Sequence, residues 1–263
     1  MVEPELLHQA QLRIVDLLKE IDRICTKHDI QWFLYYGTLL GAVRHKGFIP
    51  WDDDCDIGMM RSDYEKFISV VEAELGPEFF WQTKKSDPQY PRPVPKLRLL
   101  GTKLVEFDED ENMPYNQGLF VDIFVCDYYP SLAKAVLPWF QIMPELRQKR
   151  KKYPRGSFMR AVLGITTAIP YVFHSAAEKL FKSFCKRVQK DGQQPYISTE
   201  IRLTEGFVMK KEDVFPLKRE LEFEGSIFPT VNNYDACLKA IYGDYMQLPP
   251  TEKRRIHAKA IEI

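Results

Sequence analysis

The sequence predicts an α+β fold with one inserted, largely helical segment. Three observations predict it: helix-like and strand-like stretches follow one another without an internal repeat, an apolar strand-like run carries one embedded charge at Asp122, and the composition shifts abruptly at 135–174.

Residues 5–27 place Leu7, Ala10, Ile14, Leu17, Leu18, Ile21 and Cys25 at three-and-four spacing, one apolar face of a helix. IQWFLYYG is an aromatic run short enough for a buried strand ending at Gly37. Thr38 is placed to cap a short helix over 39–45, which leaves the first N–H groups facing an anion. Gly47 and Pro50 then break the chain before four aspartates in five positions, Asp52, Asp53, Asp54 and Asp56. In an extended strand Asp54 and Asp56 share one face and Cys55 points into the core. Ser62-Asp63-Tyr64-Glu65 reads as the capping box of a helix whose face is Tyr64, Phe67, Ile68, Val71 and Leu75, stopped by Gly76-Pro77.

Extended pieces follow around 94–100 and 102–107, then an acidic loop from Asp108 to Glu111, then the strand GLFVDIFVCDYYP. The insertion, residues 131–175, sets apolar AVLPWFQIMP and FMRAVLGITTAIPYVFH on either side of basic RQKRKKYPR. Prolines and Arg160 interrupt it too often for a bilayer span. Two readings stand: apolar wedges on an anionic membrane face, or a helical hairpin packed on the main domain. A further amphipathic helix covers 175–190, a strand pair lies near 221–229, and the helix YDACLKAIY ends at Gly243.

The chain of 263 residues fits a single domain, 1–263, carrying that insertion, and 45% hydrophobic residues are enough for a core. Thirty-seven basic residues balance thirty-seven acidic ones, so no global field draws it to nucleic acid. Five scattered cysteines without a C-x-x-C pair argue for a reducing compartment. MVEPELLHQ has no apolar run of a signal peptide, and a cytoplasmic location is expected, with peripheral contact at the inner membrane face.

Carboxylates at the density of Asp52–Asp56 repel one another, about 1 kcal/mol per pair at 4 Å in water and several-fold more when partly buried, unless a cation holds them. Beside a Gly-Thr turn with free N–H groups, they suit a divalent metal and a phosphate. A calcium loop starting at Asp52 fails, because its sixth and twelfth places hold Ile57 and Asp63 instead of Gly and Glu. The D-x-D of nucleotide-sugar glycosyltransferases stays open on the aspartates alone, but needs neither the Gly-Thr turn nor Asp122. An aspartate in a run like VDIFV is costly to bury unpaired, so Asp122 faces water on an edge strand or shares a cation with the cluster.

Tyr36-Gly37-Thr38, Asp54-Cys55-Asp56-Ile57 and Val121-Asp122-Ile123 together resemble the polymerase-β-like nucleotidyltransferase superfamily. YGTLLGAVRHKGFIPWDDDCDI, GLFVDIFVCDYY, LEFEGSIFPTVNNYDACL and YGDYMQLPPTEKR resemble its LicD branch more narrowly, which is related to the fukutin-related proteins. The likeness spans roughly 5–129 and 195–255 and is silent over 131–175. It implies a mixed sheet flanked by helices and a phosphotransferase. Such an enzyme moves phosphocholine from CDP-choline, or ribitol or glycerol phosphate from a similar CDP-linked donor, to a glycan hydroxyl and releases CMP. The acceptor it implies is a cell-surface polysaccharide such as lipopolysaccharide or teichoic acid, in lipid-linked form for a protein at the membrane. By the same resemblance Asp54, Asp56 and Asp122 hold Mg²⁺ or Mn²⁺, and Gly37 and Thr38 bind a phosphate oxygen. Asp122 or Asp52 takes the proton of the attacking hydroxyl.

Lys96 and Arg98 share a strand face and either reach the donor phosphates or are solvated. Arg44 either clamps phosphate or ties down Asp52 or Asp53. His45 is assigned no role. Trp51, beside the aspartates, is placed to stack on cytosine or on a trimethylammonium group, whereas Trp32 is expected in the core. A nucleotidyltransferase releasing pyrophosphate and a non-catalytic membrane-surface adaptor are the competing functions.

Overall fold

A computed structural model of the chain describes residues 2–132, 194–199 and 208–263, with scattered positions between 154 and 187. The elements in chain order begin with α1 (Pro4–Lys27), β1 (Phe33–Leu34), α2 (Tyr36–His45), β2 (Asp56–Met60) and α3 (Arg61–Glu74). They continue with β3 (Phe79–Gln82), β4 (Lys96–Leu99), β5 (Lys103–Glu106), β6 (Phe120–Tyr129), β7 (Tyr196–Thr199) and β8 (Met209–Lys210). Then come α4 (Lys211–Val214), β9 (Glu222–Phe223), β10 (Ser226–Ile227), α5 (Tyr234–Tyr242) and β11 (Ala258–Glu262). The fold is α+β, a mixed sheet flanked by helices.

The chain divides into two compact units, Met1–Val125 with Phe215–Ile263, and Cys126–Val214. In the first, the sheet runs β1-β2-β6-β4-β3. β6 is therefore interior, and Asp122 does not lie on an edge strand. Its neighbours are fixed by register: Lys96 of β4 stands opposite Asp122, and the Asp122 N–H donates to the Cys55 carbonyl at 2.8 Å. α1 buries Leu7, Ile14, Leu18 and Ile21 on the predicted stripe, with Pro4 at its first turn. Trp32 is in the core, its Nε1 donating to Asp22 at 3.1 Å, as expected. In the second unit β7 pairs antiparallel with residues 126–129 of β6, and β8 pairs with β7. The described positions between 176 and 187 are helical, where the amphipathic helix was expected. Most of the expected 131–175 insertion falls outside the described residues. Among those that are described, no helix is long and apolar enough to cross a membrane.

Several local expectations need correction. The aromatic run yields only the two-residue β1, because α2 begins at Tyr36, its first turn closed by the Leu39 N–H on the Tyr35 carbonyl. Tyr36 adopts φ 38°, a left-handed conformation a bulky side chain seldom takes. Thr38 thus lies inside α2 and does not cap it; its Oγ1 accepts the Asp56 N–H at 2.7 Å instead. Ser62 does not cap α3, whose N-cap is Met60. Asp63 instead turns inward and accepts the Gln31 N–H. Within α3 only Asp63, Phe67 and Val71 are buried, and Ile68 is 43% exposed.

β5 leaves the main sheet and pairs with β11 from the C-terminus, a strand not foreseen. The predicted strand pair is the β9–β10 hairpin, whose two loop residues, Glu224 and Gly225, both have positive φ, as a two-residue hairpin loop of the primed type requires. At that tip the Glu224 carboxylate accepts the Phe48 N–H at 2.9 Å, and its own N–H donates to the Lys46 carbonyl. The hairpin thereby fixes the loop that leads to the aspartates. α5 ends at Gly243 as predicted, and Asn233 caps its start by accepting from the Ala236 N–H.

Candidate active site

Asp52 and Asp54 lie in the loop before β2 and Asp56 is its first residue, so the expected aspartate strand begins later than predicted. The alternation still holds: Cys55 is fully buried while Asp54 and Asp56 on either side are half-buried. α1 positions the first of them. Gln11, a polar residue on the buried stripe, donates to the Asp52 carbonyl at 2.7 Å and to that of Ile49 at 3.3 Å. Asp53 points elsewhere. It is 2% exposed and accepts from the N–H groups of His257, at 3.1 Å, and of Ala258, and its Oδ1 lies 3.3 Å from His257 Nδ1. Asp53 is therefore the latch that holds the start of β11 against the cluster.

The remaining carboxylates lack such donors, and their acidities show it. Burial, then the charge of Asp54 and Asp53, raises Asp52 well above the usual carboxylate range. Burial, then Asp53 and Asp122, pushes Asp54 up to about 6. Burial, then Asp54 and Asp122, raises Asp56 strongly. Asp122 is held by Lys96, a lysine only 1% exposed, whose Nζ lies 2.9 Å from Oδ1 and 3.0 Å from Oδ2. Only Oδ2 receives that hydrogen bond in good geometry; Oδ1 is buried without a donor. Three mutually repelling carboxylates beside a buried carboxylate oxygen that lacks a donor fit a hard divalent cation. Among the described residues, the acidic and histidine ligand atoms that all lie within 4.8 Å of one another are those of Asp52, Asp53, Asp54 and His257, a set that includes Asp54 but neither Asp56 nor Asp122 of the expected trio. Asp53 and His257 already satisfy each other there, so the groups left without such a donor are the carboxylates of Asp52, Asp54 and Asp56, and the Oδ1 atom of Asp122 beside its Lys96 pair.

Raised carboxylates bind protons on folding, so their contribution to stability is lost as pH rises from the usual range near 3.8 through about 6 for Asp54, with Asp52 and Asp56 shifted in the same direction. His257, raised to about 9 by its bond to Asp53 and the neighbouring aspartates, acts in the same direction: its stabilisation is complete below about 6.5 and is lost towards 9. With chelator present, the melting temperature is therefore expected to fall from pH 6 to pH 9. Millimolar Mg²⁺ is expected to raise it more at pH 8 than at pH 5.5. A melting temperature that climbs across that interval contradicts the account.

The first turn of α2 faces the same carboxylates. Gly37 and Thr38 are its second and third residues, where N–H groups have no helical acceptor. A Cβ on Gly37 would sit 2.8 Å from Asp52 Oδ2. Gly37→Ala is expected to displace that carboxylate and to cost activity about tenfold or more, with the fold retained. Circular dichroism beside a turnover assay checks this, and unchanged turnover would remove Gly37 from the site.

The flanking residues resolve the open choices. Neither Lys96 nor Arg98 is solvated. Lys96 serves Asp122, while Arg98, also 1% exposed, donates to Gln82 Oε1 and the Gly118 carbonyl, both at 2.7 Å. Both cations stand over the Phe120 ring, at 3.2 Å and 4.7 Å from its centroid. Arg44 does not tie down Asp52 or Asp53; it donates to the Tyr245 carbonyl at 2.8 Å and to His45 Nε2 at 2.9 Å. Trp51 is half-exposed, and the Arg254 guanidinium lies 4.5 Å from its ring centroid.

Sequence reasoning missed Gln11, His257, Arg254 and Tyr242. Tyr242 is 43% exposed, yet desolvation of its hydroxyl, then Asp56 and Asp52, push its phenol well above the normal range. Gln11 left a trace as the polar intrusion in an apolar stripe, and Tyr242 as the residue before the Gly243 cap. His257 left none, since nothing in its local pattern points to an aspartate two hundred residues earlier.

The family described as LicD/FKTN/FKRP, nucleotidyltransferase domain, matches residues 29–131, the span that contains all four of those carboxylates. The lipopolysaccharide cholinephosphotransferase LicD of Haemophilus influenzae is 29% identical over 259 residues, covering 95% of each chain. Two uncharacterized rickettsial proteins match shorter stretches. That of Rickettsia typhi is 45% identical over 60 residues (23% of this chain, 19% of its own), and that of Rickettsia prowazekii 50% over 52 residues (20% of each).

Proposed function

This chain carries a LicD-family domain, and from that premise we propose that it transfers phosphocholine, or a similar phospho-group, from a CDP-linked donor to a hydroxyl of a cell-surface glycan. The name of the Haemophilus relative supports phosphocholine and lipopolysaccharide as the group and the acceptor. The observation that carries the reading is the β2–β6 pairing, in which the Asp122 N–H donates to the carbonyl of Cys55, the residue between Asp54 and Asp56, next to the open first turn of α2.

In this reading Asp54, Asp56 and Asp122 would hold Mg²⁺ or Mn²⁺, which supplies charge neutralisation for the donor phosphates and the departing CMP. The N–H groups of Gly37 and Thr38 donate to a phosphate oxygen and orient the donor. Lys96 pairs with Asp122 and holds it in place. The acceptor hydroxyl oxygen forms the new bond to the phosphorus that carries the choline, and the bond from that phosphorus to the bridging oxygen of CMP breaks. Asp52 takes the hydroxyl proton. Its raised pKa makes its carboxylate the stronger proton acceptor, whereas Asp122 is already paired with Lys96. Trp51 offers the exposed part of its ring to the donor.

The test is CMP release by the purified protein from CDP-choline, CDP-ribitol and CDP-glycerol, with Mg²⁺ or Mn²⁺ and a lipopolysaccharide acceptor. Choline-dependent CMP release supports the reading. Pyrophosphate release would make the protein a nucleotidyltransferase. No turnover together with no divalent-induced stabilisation would leave a non-catalytic protein.

A further inference from the structure

A cleft of about 640 Å³ opens between the end of β5 and the segment that enters β11, bordered by Glu106 and Phe107 on one side and by Arg254, Arg255 and His257 on the other. It shares a wall with the aspartate cluster, because His257 lines it and donates its N–H to Asp53. We propose that this cleft is an anion subsite for the acceptor, taking a phosphate or carboxylate carried by the sugar that presents the accepting hydroxyl. The proposal rests on the transfer reading above and specifies its acceptor.

Charge pairing within the cleft is uneven. Arg92, which also lines it, is neutralised by Glu106 at 3.1 Å and Asp108 at 2.8 Å. Arg254 has no acidic partner among the described residues; its Nε donates to the Pro249 carbonyl at 3.1 Å and its guanidinium stands over Trp51. Arg255 is exposed and has no hydrogen bond or ion pair to any described residue. Two guanidinium groups thus remain for an outside anion, in the fork geometry that matches phosphate and carboxylate. Phe107, 69% exposed, adds an apolar ring face against which the C–H surface of a sugar can lie. Gly37, Thr38 and Lys96 do not line the cleft, so the groups assigned to the donor and those offered here are separate. Arg254 joins the two, since its guanidinium covers Trp51 while the residue borders the cleft.

Calorimetric titration of the full chain at low salt, with glucose, glucose 6-phosphate and glucuronate as probes, tests the proposal. Both anionic sugars are expected to bind more tightly than glucose and to weaken as salt is added. Arg255→Gln is expected to bind them about fivefold more weakly, with Arg255→Lys in between and glucose unaffected. Tighter binding of the phosphate assigns the subsite to phosphorylated sugars, and tighter binding of the uronate to acidic ones. Equal binding of glucose and both anions, or no change in Arg255→Gln, overturns the proposal. CMP release from CDP-choline with the lipopolysaccharide acceptor, measured on the native protein, keeps the two claims apart. Wild-type release with unchanged anion binding removes only the subsite, whereas absent release from the native protein with every acceptor removes the transfer reading and leaves the titration to decide the cleft.

Discussion

Lys96→Met is expected to destabilise the protein by about 3 kcal/mol, because it leaves the largely covered Asp122 side chain unpaired beside two further carboxylates. Lys96 stands in a four-residue strand whose residues are all buried, with its ammonium over the Phe120 ring, so no other described cation takes its place beside Asp122. At roughly 2–4 °C per kcal/mol for a chain of this size, the melting temperature falls by roughly 6–12 °C. The double variant Lys96→Met, Asp122→Leu removes both charges and is expected to recover most of that loss while remaining inactive. Thermal denaturation of the three proteins checks it. A single variant that melts like the native chain would show that Asp122 needs no counter-charge.

Asp54→Asn and Asp56→Asn form the second large effect, with opposite signs on activity and stability. Each removes a carboxylate whose raised pKa comes from burial and from its neighbours. In the presence of chelator both variants are therefore expected to melt higher than the native protein at pH 8. Turnover is expected to fall on the order of a thousandfold, comparable with losing a main stabiliser of transition-state charge. Stability and activity measured on one preparation separate a ligand role from a structural one, since a structural carboxylate would lose both together.

The carboxylates and the Gly-Thr segment were legible in the sequence because their chemistry is local: an acid-rich stretch declares itself wherever it folds. The helices α1, α3 and α5 were legible through their apolar stripes and, for α5, the Gly243 stop. The start of α2 was not, since Tyr35 and Tyr36 read as strand residues until the Tyr35 carbonyl accepts from Leu39. Partners distant in sequence were the least visible. Lys96 reads in sequence as either a donor-phosphate contact or half of a solvated pair, yet register sets it against Asp122, and only the pairing of β5 with β11 brings His257 to Asp53. Arg44 shows the converse: proximity in sequence suggests a phosphate clamp or an aspartate partner, whereas the chain turn after α5 supplies the Tyr245 carbonyl.

Anomalous diffraction from a crystal soaked in Mn²⁺ and CDP-choline tests the central claim most directly. The account predicts a manganese peak bonded to Asp54 and Asp56 at about 2.0–2.3 Å, with Asp122 in its coordination sphere and the donor phosphates against Gly37 and Thr38. A peak centred on Asp53 and His257, with Asp122 still bound only to Lys96, would contradict it.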